Sequence, residues 1–198
     1  MIRVVLFDFG GVIAEEGFYQ GLRAIAEDSG LAPDSFFRTA EELIHRTGYV
    51  TGRATEAEYW AAVRRESGIG RTDAYMREQI ISRFVLRPGM LAHADRLRAA
   101  GRNVSILSDQ TDWLAEIDRR TPFSDRFDRV YNSYHLHKSK RDATVFTDVC
   151  HDMAVDAGDV LFVDDNIRNV TRAAGAGLLT IHFMDMGQFP SALKNFGL

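Results

Sequence analysis

The stretch Met1-Ile-Arg-Val-Val-Leu-Phe-Asp8-Phe-Gly10-Gly11-Val-Ile13 decides how the rest of the chain is read. Val4, Val5, Leu6 and Phe7 form an unbroken β-branched and aromatic run. Such a run predicts a strand buried on both faces, since a strand with one wet face would alternate apolar and polar residues. It ends on the carboxylate of Asp8 and then Gly10 and Gly11. Glycines directly after a strand mark a tight turn or a close approach of backbone to a ligand. In a parallel α/β sheet the ligand site lies outside the carboxyl ends of the strands, where Asp8 would stand. A lone strand-end aspartate serves equally well as a cap, so its meaning depends on what else the chain brings to the same edge.

The chain has 198 residues, 45% of them hydrophobic and 26% charged, enough for one sizeable core or a core carrying a modest insertion. A formal charge of -4 argues against nucleic acid or an anionic membrane as the main partner. Cys150 is the single cysteine, which excludes an intrachain disulfide and a thiolate zinc cluster and reads as a small core residue. The N-terminus lacks the pattern of a signal peptide and no apolar run approaches membrane-spanning length, so a cytoplasmic location is expected. Asp8-Phe9-Gly10 also spells the magnesium-binding tripeptide of protein kinases, but no glycine-rich loop or His-Arg-Asp precedes it.

From Glu15 to about Val85 the patterns are helical. Phe18, Leu22, Ile25 and Ala26 share helical spacing, with Gly30 as a stop. Pro33 opens a second helix whose apolar face is Phe36, Phe37, Ala40, Leu43 and Ile44. Thr55-Glu-Ala-Glu58 is a capping box opening a third helix that runs to Gly68, and a fourth is expected from about Asp73 to Val85. The aromatics here read as a helical core rather than a cofactor box. Pro88-Gly89 then begins an alternation of helices and strands, with strands expected over 103–107, 129–132, 160–163 and 178–183. Alternation of this kind predicts a parallel, doubly wound, Rossmann-like sheet. The economical architecture is an α/β domain built from residues 1–14 and 86–198, interrupted by a helical cap domain over 15–85.

Three expected strands end in polar groups: Asp8; Ser108 with Asp109; Asp164 with Asp165. Between the last two lies the basic stretch His137-Lys138-Ser139-Lys140-Arg141-Asp142. In a parallel sheet all of these converge on one edge. Clustered carboxylates form a hard-oxygen site suited to magnesium. A hydroxyl, backbone amides and an ammonium beside it would hold an anion, and a free carboxylate in line is the equipment for phosphoryl transfer to an aspartate. Each piece has a duller alternative: Ser108-Asp109 and Asp164-Asp165-Asn166 as helix caps, and the basic stretch as a solvated charge run. His135 and His137 would share a face if extended, but no third ligand stands at zinc spacing.

Taken together, these four stretches resemble the haloacid dehalogenase-like hydrolase superfamily, in the branch with a helical cap inserted after the first motif. The resemblance implies that Asp8 is the nucleophile and that Ser108 and Lys140 hold the phosphoryl group, with Asp109 beside them against the substrate. It implies Mg2+ bound by Asp8, the Gly10 carbonyl and the Asp164-Asp165 pair. The register of Asn169 favours Asp165 as the direct ligand, with Asp164 reaching the ion directly or through water.

This sequence departs from the family's pattern in three places. The family's phosphatases usually carry a second aspartate, a general acid and base, where this chain has Gly10; the residue after the serine is commonly Asn and here is Asp109; and the lysine is commonly followed by Pro and here by Arg141. A positioned acid contributes about 10²–10⁴-fold, so the first departure matters most. Glu15, Glu16 and His45 are the candidates to replace it.

The function expected from the resemblance is a magnesium-dependent phosphatase acting on a small phosphorylated metabolite, such as a sugar phosphate, by way of a phosphoaspartyl intermediate. The alternatives are a metal-independent 2-haloacid dehalogenase, attacking carbon, and a non-catalytic phospho-ligand-binding member. The expected partners are the phosphorylated substrate alone, without nucleic acid or membrane, on a monomer or homodimer.

Overall fold

In the computed structural model, which describes residues 1–198, five strands form one parallel sheet in the order β3-β2-β1-β4-β5. They are β1 (Val4–Phe7), β2 (Asn103–Ser108), β3 (Val130–Asn132), β4 (Val160–Asp164) and β5 (Leu179–His182). Ten α-helices accompany them: α1 (Gly17–Glu27), α2 (Pro33–Arg46), α3 (Glu56–Ser67), α4 (Asp73–Ile81), α5 (Pro88–Ala99), α6 (Trp113–Arg120), α7 (Ser133–Leu136), α8 (Thr144–Asp152), α9 (Ile167–Gly175) and α10 (Phe189–Lys194).

The apolar run of β1 is explained by its place in the middle of the sheet. Val5 and Phe7 join the larger hydrophobic cluster on one face, and Val4 and Leu6 join the smaller cluster on the other. Successive side chains of a strand point to opposite faces, so a strand covered on both sides must be apolar throughout. Buried residues of α8 and α9 complete the smaller cluster, Cys150 among them. Those of α5, α6 and α10 lie on the opposite face. Helices on both faces make the sheet doubly wound. No helix is long and apolar enough to cross a membrane.

Helices α1–α4 all lie in the chain between β1 and α5, and their buried apolar residues belong to the larger cluster, with Val5 and Phe7 of β1. The chain leaves and re-enters the sheet side by side. Ala14 and Leu86 form an antiparallel bridge, the Glu15 N–H donates to Val85 O at 2.8 Å, and the Arg87 N–H donates to Ile13 O at 2.8 Å. Both oxygens of Glu15 accept from the Arg87 guanidinium at 2.9 Å, tying the two crossings together.

The fold differs from the sequence reading in local details. α4 ends at Ile81 rather than Val85, because the following residues are drawn into the crossing. Phe84 packs against Phe9, ring centroids 5.7 Å apart, instead of continuing a helical stripe. Residues 133–136 form the short helix α7, and His137 has φ 55°, so His135 and His137 do not sit on an extended segment. α10 carries no strong periodic signal and was not expected from the sequence; its Phe189 is buried against Phe7 and Phe183.

Candidate active site

The register of the strands sets the floor of the site. Phe7 pairs with Ile106 on one side and Val163 on the other, so Asp8, Ser108 and Asp164 all emerge at the carboxyl edge of neighbouring strands. The strand order reverses beside β1, and open α/β sheets bind ligands at such a point. Asp8, Ser108, Asp164 and Lys140 are all buried.

Lys140 is the hub. Its ammonium lies 2.7 Å from Asp8 Oδ2 and 2.7 Å from Asp164 Oδ2. Burial pulls its pKa down, but the carboxylates of Asp164, Asp8 and Asp109 more than reverse this, so it stays charged. The basic stretch is thus split: Lys138 pairs with Asp148 on the surface, Arg141 faces Glu41 and Glu42 at 3.7 and 3.9 Å, and of its basic side chains only Lys140 is buried.

Asp164 and Asp165, adjacent in sequence, have different surroundings. Asp164 Oδ1 accepts the Asn166 N–H at 2.7 Å, and Asn169 Nδ2 reaches both its oxygens at 3.3 and 3.2 Å. With Lys140 on Oδ2, its hydrogen-bonding capacity is largely taken. Asp165 is half-buried and makes no side-chain hydrogen bond of this kind. Carboxylate oxygens of Asp8, Asp164 and Asp165 lie within 4.8 Å of one another. Burial first, then mutual repulsion, raises the pKa of Asp8 strongly and that of Asp165 as well. One ammonium among these carboxylates leaves excess negative charge, which a hard divalent cation fits.

Gly11 is what lets Asp165 approach. It has φ +79°, and a Cβ added there would lie 2.1 Å from Asp165 Oδ2. Gly10 leaves a different opening: a Cβ there would meet Glu16 Oε1 at 3.3 Å. The Glu16 carboxylate therefore stands beside the position where the family's second aspartate would project. Its other oxygen accepts the Tyr19 N–H at 2.8 Å and caps α1. Burial raises Glu16 to about 7. The other two candidates stand differently: Glu15 is bound to Arg87, which lowers its pKa, and His45 is pushed down to about 4 by burial and by Arg141.

Asp109 is held against the main chain of Lys140. Both its oxygens accept the main-chain N–H of Lys140, at 2.9 and 3.1 Å, so it shapes the loop that delivers the lysine, although it still lines the cavity. Burial raises its pKa against the pull of Lys140.

A cavity of about 480 Å³ opens over this floor. The helical insertion contributes Phe18, Tyr19, Phe37, Glu41 and His45 to its walls, and α9 contributes Arg168, Asn169 and Arg172. The arginines of α9 were not singled out in the sequence, since nothing in their spacing separates them from an ordinary solvated face. His135 and His137 are exposed, and His137 Nδ1 lies 2.9 Å from Thr51 O, away from any metal-capable cluster.

Among known proteins, a stretch of 69 residues, 35% of this chain, is 35% identical to the drimenol cyclase drtB of Aspergillus calidoustus; it spans only 13% of that protein. The HAD family enzyme BT-2542 of Bacteroides thetaiotaomicron shares the fold with a TM-score of 0.75 at 22% identity, over 95% of this chain and 98% of that one. The same enzyme in complex with magnesium and inorganic phosphate aligns with a TM-score of 0.70 at 22% identity, over 96% and 99% of the two chains. The L-2-haloacid dehalogenase of Xanthobacter autotrophicus, with chloropropionic acid covalently bound, aligns at 17% identity with a TM-score of 0.68, over 91% and 76%. At these identities the structural likeness establishes the fold alone. The family is established by sequence: the family model of the haloacid dehalogenase-like hydrolases matches residues 2–177, nearly the whole chain and every strand-end residue described above, and the chain belongs to that family.

Proposed function

We propose that this chain is a magnesium-dependent phosphatase that cleaves a small phosphorylated metabolite through a phosphoaspartyl intermediate on Asp8. The observation that carries the reading is the single ammonium of Lys140, 2.7 Å from Asp8 and from Asp164, beside three carboxylates clustered within 4.8 Å. That arrangement is an anion clamp next to a cation site, with the attacking group between them. The crystallised complex of BT-2542 with magnesium and inorganic phosphate lends support from a relative in fold.

Asp8, Asp165 and the carbonyl of Gly10 would hold the ion, while Asp164 is engaged in fixing Lys140, Asn166 and Asn169. An ion held there would offset the repulsion between the Asp8 carboxylate and an incoming phosphate. Asp8 attacks phosphorus in line, forming an acyl phosphate as the bond to the leaving oxygen breaks. Ser108 and Lys140 hold the equatorial oxygens as charge redistributes. Protonated Glu16 gives its proton to the leaving oxygen; as a carboxylate it then takes one from the water that cleaves the acyl phosphate, which restores Asp8 and releases phosphate. A group near pKa 7 is suited to both halves of this cycle. The inserted helices act as a cap over the cavity, excluding water and selecting the substrate. The partner is a small molecule rather than nucleic acid or membrane, bound by a monomer or homodimer.

The test is trapping. Beryllium fluoride or an acyl phosphate donor should label Asp8 stoichiometrically in magnesium, and EDTA should abolish turnover. Undiminished turnover by Asp8→Asn would refute the reading. Since Gly10 also leaves out the phosphatases' second aspartate, halide release from a 2-haloacid that survives EDTA would replace this proposal with the dehalogenase reading.

A further inference from the structure

The cavity over Asp8, about 480 Å³, is of the size that takes a whole organic ligand rather than an inorganic ion. Its charge is unevenly distributed. Asp8, Asp165 and Glu16 line it together with Lys140, whose ammonium is paired with Asp8 and Asp164, whereas Arg168 and Arg172 line the wall formed by α9. These two stand four residues apart and so share one face of the helix.

Neither guanidinium has an ion-pair partner. Arg172 donates one hydrogen bond, 3.2 Å to Asn169 Oδ1, and Arg168 is exposed. Arg141, which lines the same cavity, already faces Glu41 and Glu42. Arg168 also stands in the first turn of α9, which contains no acidic residue. The helix dipole disfavours a cation there and favours an anion. Two cations without counter-charges, one of them set against its own helix dipole, thus point into a cavity whose phosphate clamp is elsewhere.

We infer that Arg168 and Arg172 form a second anion subsite, so that the substrate carries a carboxylate or a second phosphate in addition to the group held at Lys140. A guanidinium matches either group with paired N–H donors. A neutral sugar phosphate would leave both arginines facing water. This deepens the phosphatase reading and rests on it for where the first phosphate sits, not for whether that phosphate is cleaved.

The experiment measures binding and turnover separately, in magnesium, with two matched pairs of probes. Glycerol 3-phosphate against 3-phosphoglycerate tests a carboxylate; glucose 1-phosphate against glucose 1,6-bisphosphate tests a second phosphate. Calorimetry with the Asp8→Asn protein should show the second anion tightening binding by roughly 10- to 100-fold in at least one pair, the range of charge-assisted hydrogen bonds. Arg168→Gln and Arg172→Gln should each cut that preference by about ten-fold, and the Lys variants should keep part of it. Both side chains are solvent-accessible, and a melting curve verifies that the variants fold. No preference in either pair, or a preference that survives both substitutions, overturns the subsite. A preference without turnover of any probe by the unmutated protein sinks the phosphatase reading and leaves the subsite standing; turnover without a preference does the reverse.

Discussion

Both carboxylate oxygens of Asp109 accept the main-chain N–H of Lys140, across 31 residues of chain, at 2.9 and 3.1 Å. The aspartate that follows Ser108 thus acts on the loop that carries the lysine. Asp109→Ala should lower kcat by about 10- to 100-fold with little change in KM, because an unanchored loop lets the ammonium drift from its working position. Asp109→Asn keeps one acceptor and should lose less. A rise in KM at constant kcat would instead mean that Asp109 grips the substrate directly.

Lys140→Met should remove activity and weaken the fold together. The substitution strands the carboxylates of Asp8 and Asp164, both buried. Breaking a buried pair on one side costs about 3–5 kcal/mol. At this chain length that corresponds to a drop in Tm on the order of 10 °C. Thermal melts should show a smaller drop at pH 5 than at pH 8, since Asp8, whose pKa burial already raises, escapes the penalty by binding a proton.

Gly11→Ala probes the approach of Asp165 to the first loop. The new methyl would collide with the Asp165 carboxylate, and φ +79° is unfavourable for alanine. A positive-φ non-glycine residue costs about 1–3 kcal/mol. The expected outcome is magnesium affinity weakened by at least about ten-fold, read by calorimetry, with a modest loss of Tm. Unaltered magnesium binding would remove Asp165 from the ligand set.

Glu16→Gln should separate the two halves of the reaction. Attack by Asp8 survives on substrates with good leaving groups, but the acyl phosphate is no longer hydrolysed efficiently, so labelled protein accumulates. The limb of the pH–rate profile near 7 should disappear with it. Stability gives an independent reading. Because burial raises the folded-state pKa above its ordinary value, the contribution of Glu16 is fully present below about 4.5 and is lost as pH rises through about 7. Without magnesium, the unmutated protein should therefore lose Tm across that window, by a few degrees, more steeply than the Gln variant.

The residues at strand ends were legible because the rule that places them is local: a buried run, then a polar side chain at the carboxyl edge. Asp8, Ser108, Asp164 and the family resemblance followed from it, as did the parallel sheet. Lys140 was legible only through that resemblance, since in its own stretch it looks like Lys138, which pairs with Asp148 at the surface. The role of Asp109 was not legible, because it depends on a loop more than thirty residues away. Nor was Glu16 separable from Glu15: neighbours on a turning chain point different ways, one to Arg87 and one to the space beside Gly10. Helical spacing alone overruns the end of α4, because Phe84 and Val85 lead into a backbone pairing that no local pattern encodes.

The central place of β1 bears on how the protein is made. Val4 pairs with Asn103 and with Val160, so β1 is synthesised long before either of its neighbours. α1 to α4 can begin to form from local contacts during synthesis, whereas the strand bearing Asp8 must stay unpaired until most of the chain has emerged. Its apolar run is the segment most exposed to misassociation in that interval, and chaperone capture of nascent chains should concentrate there.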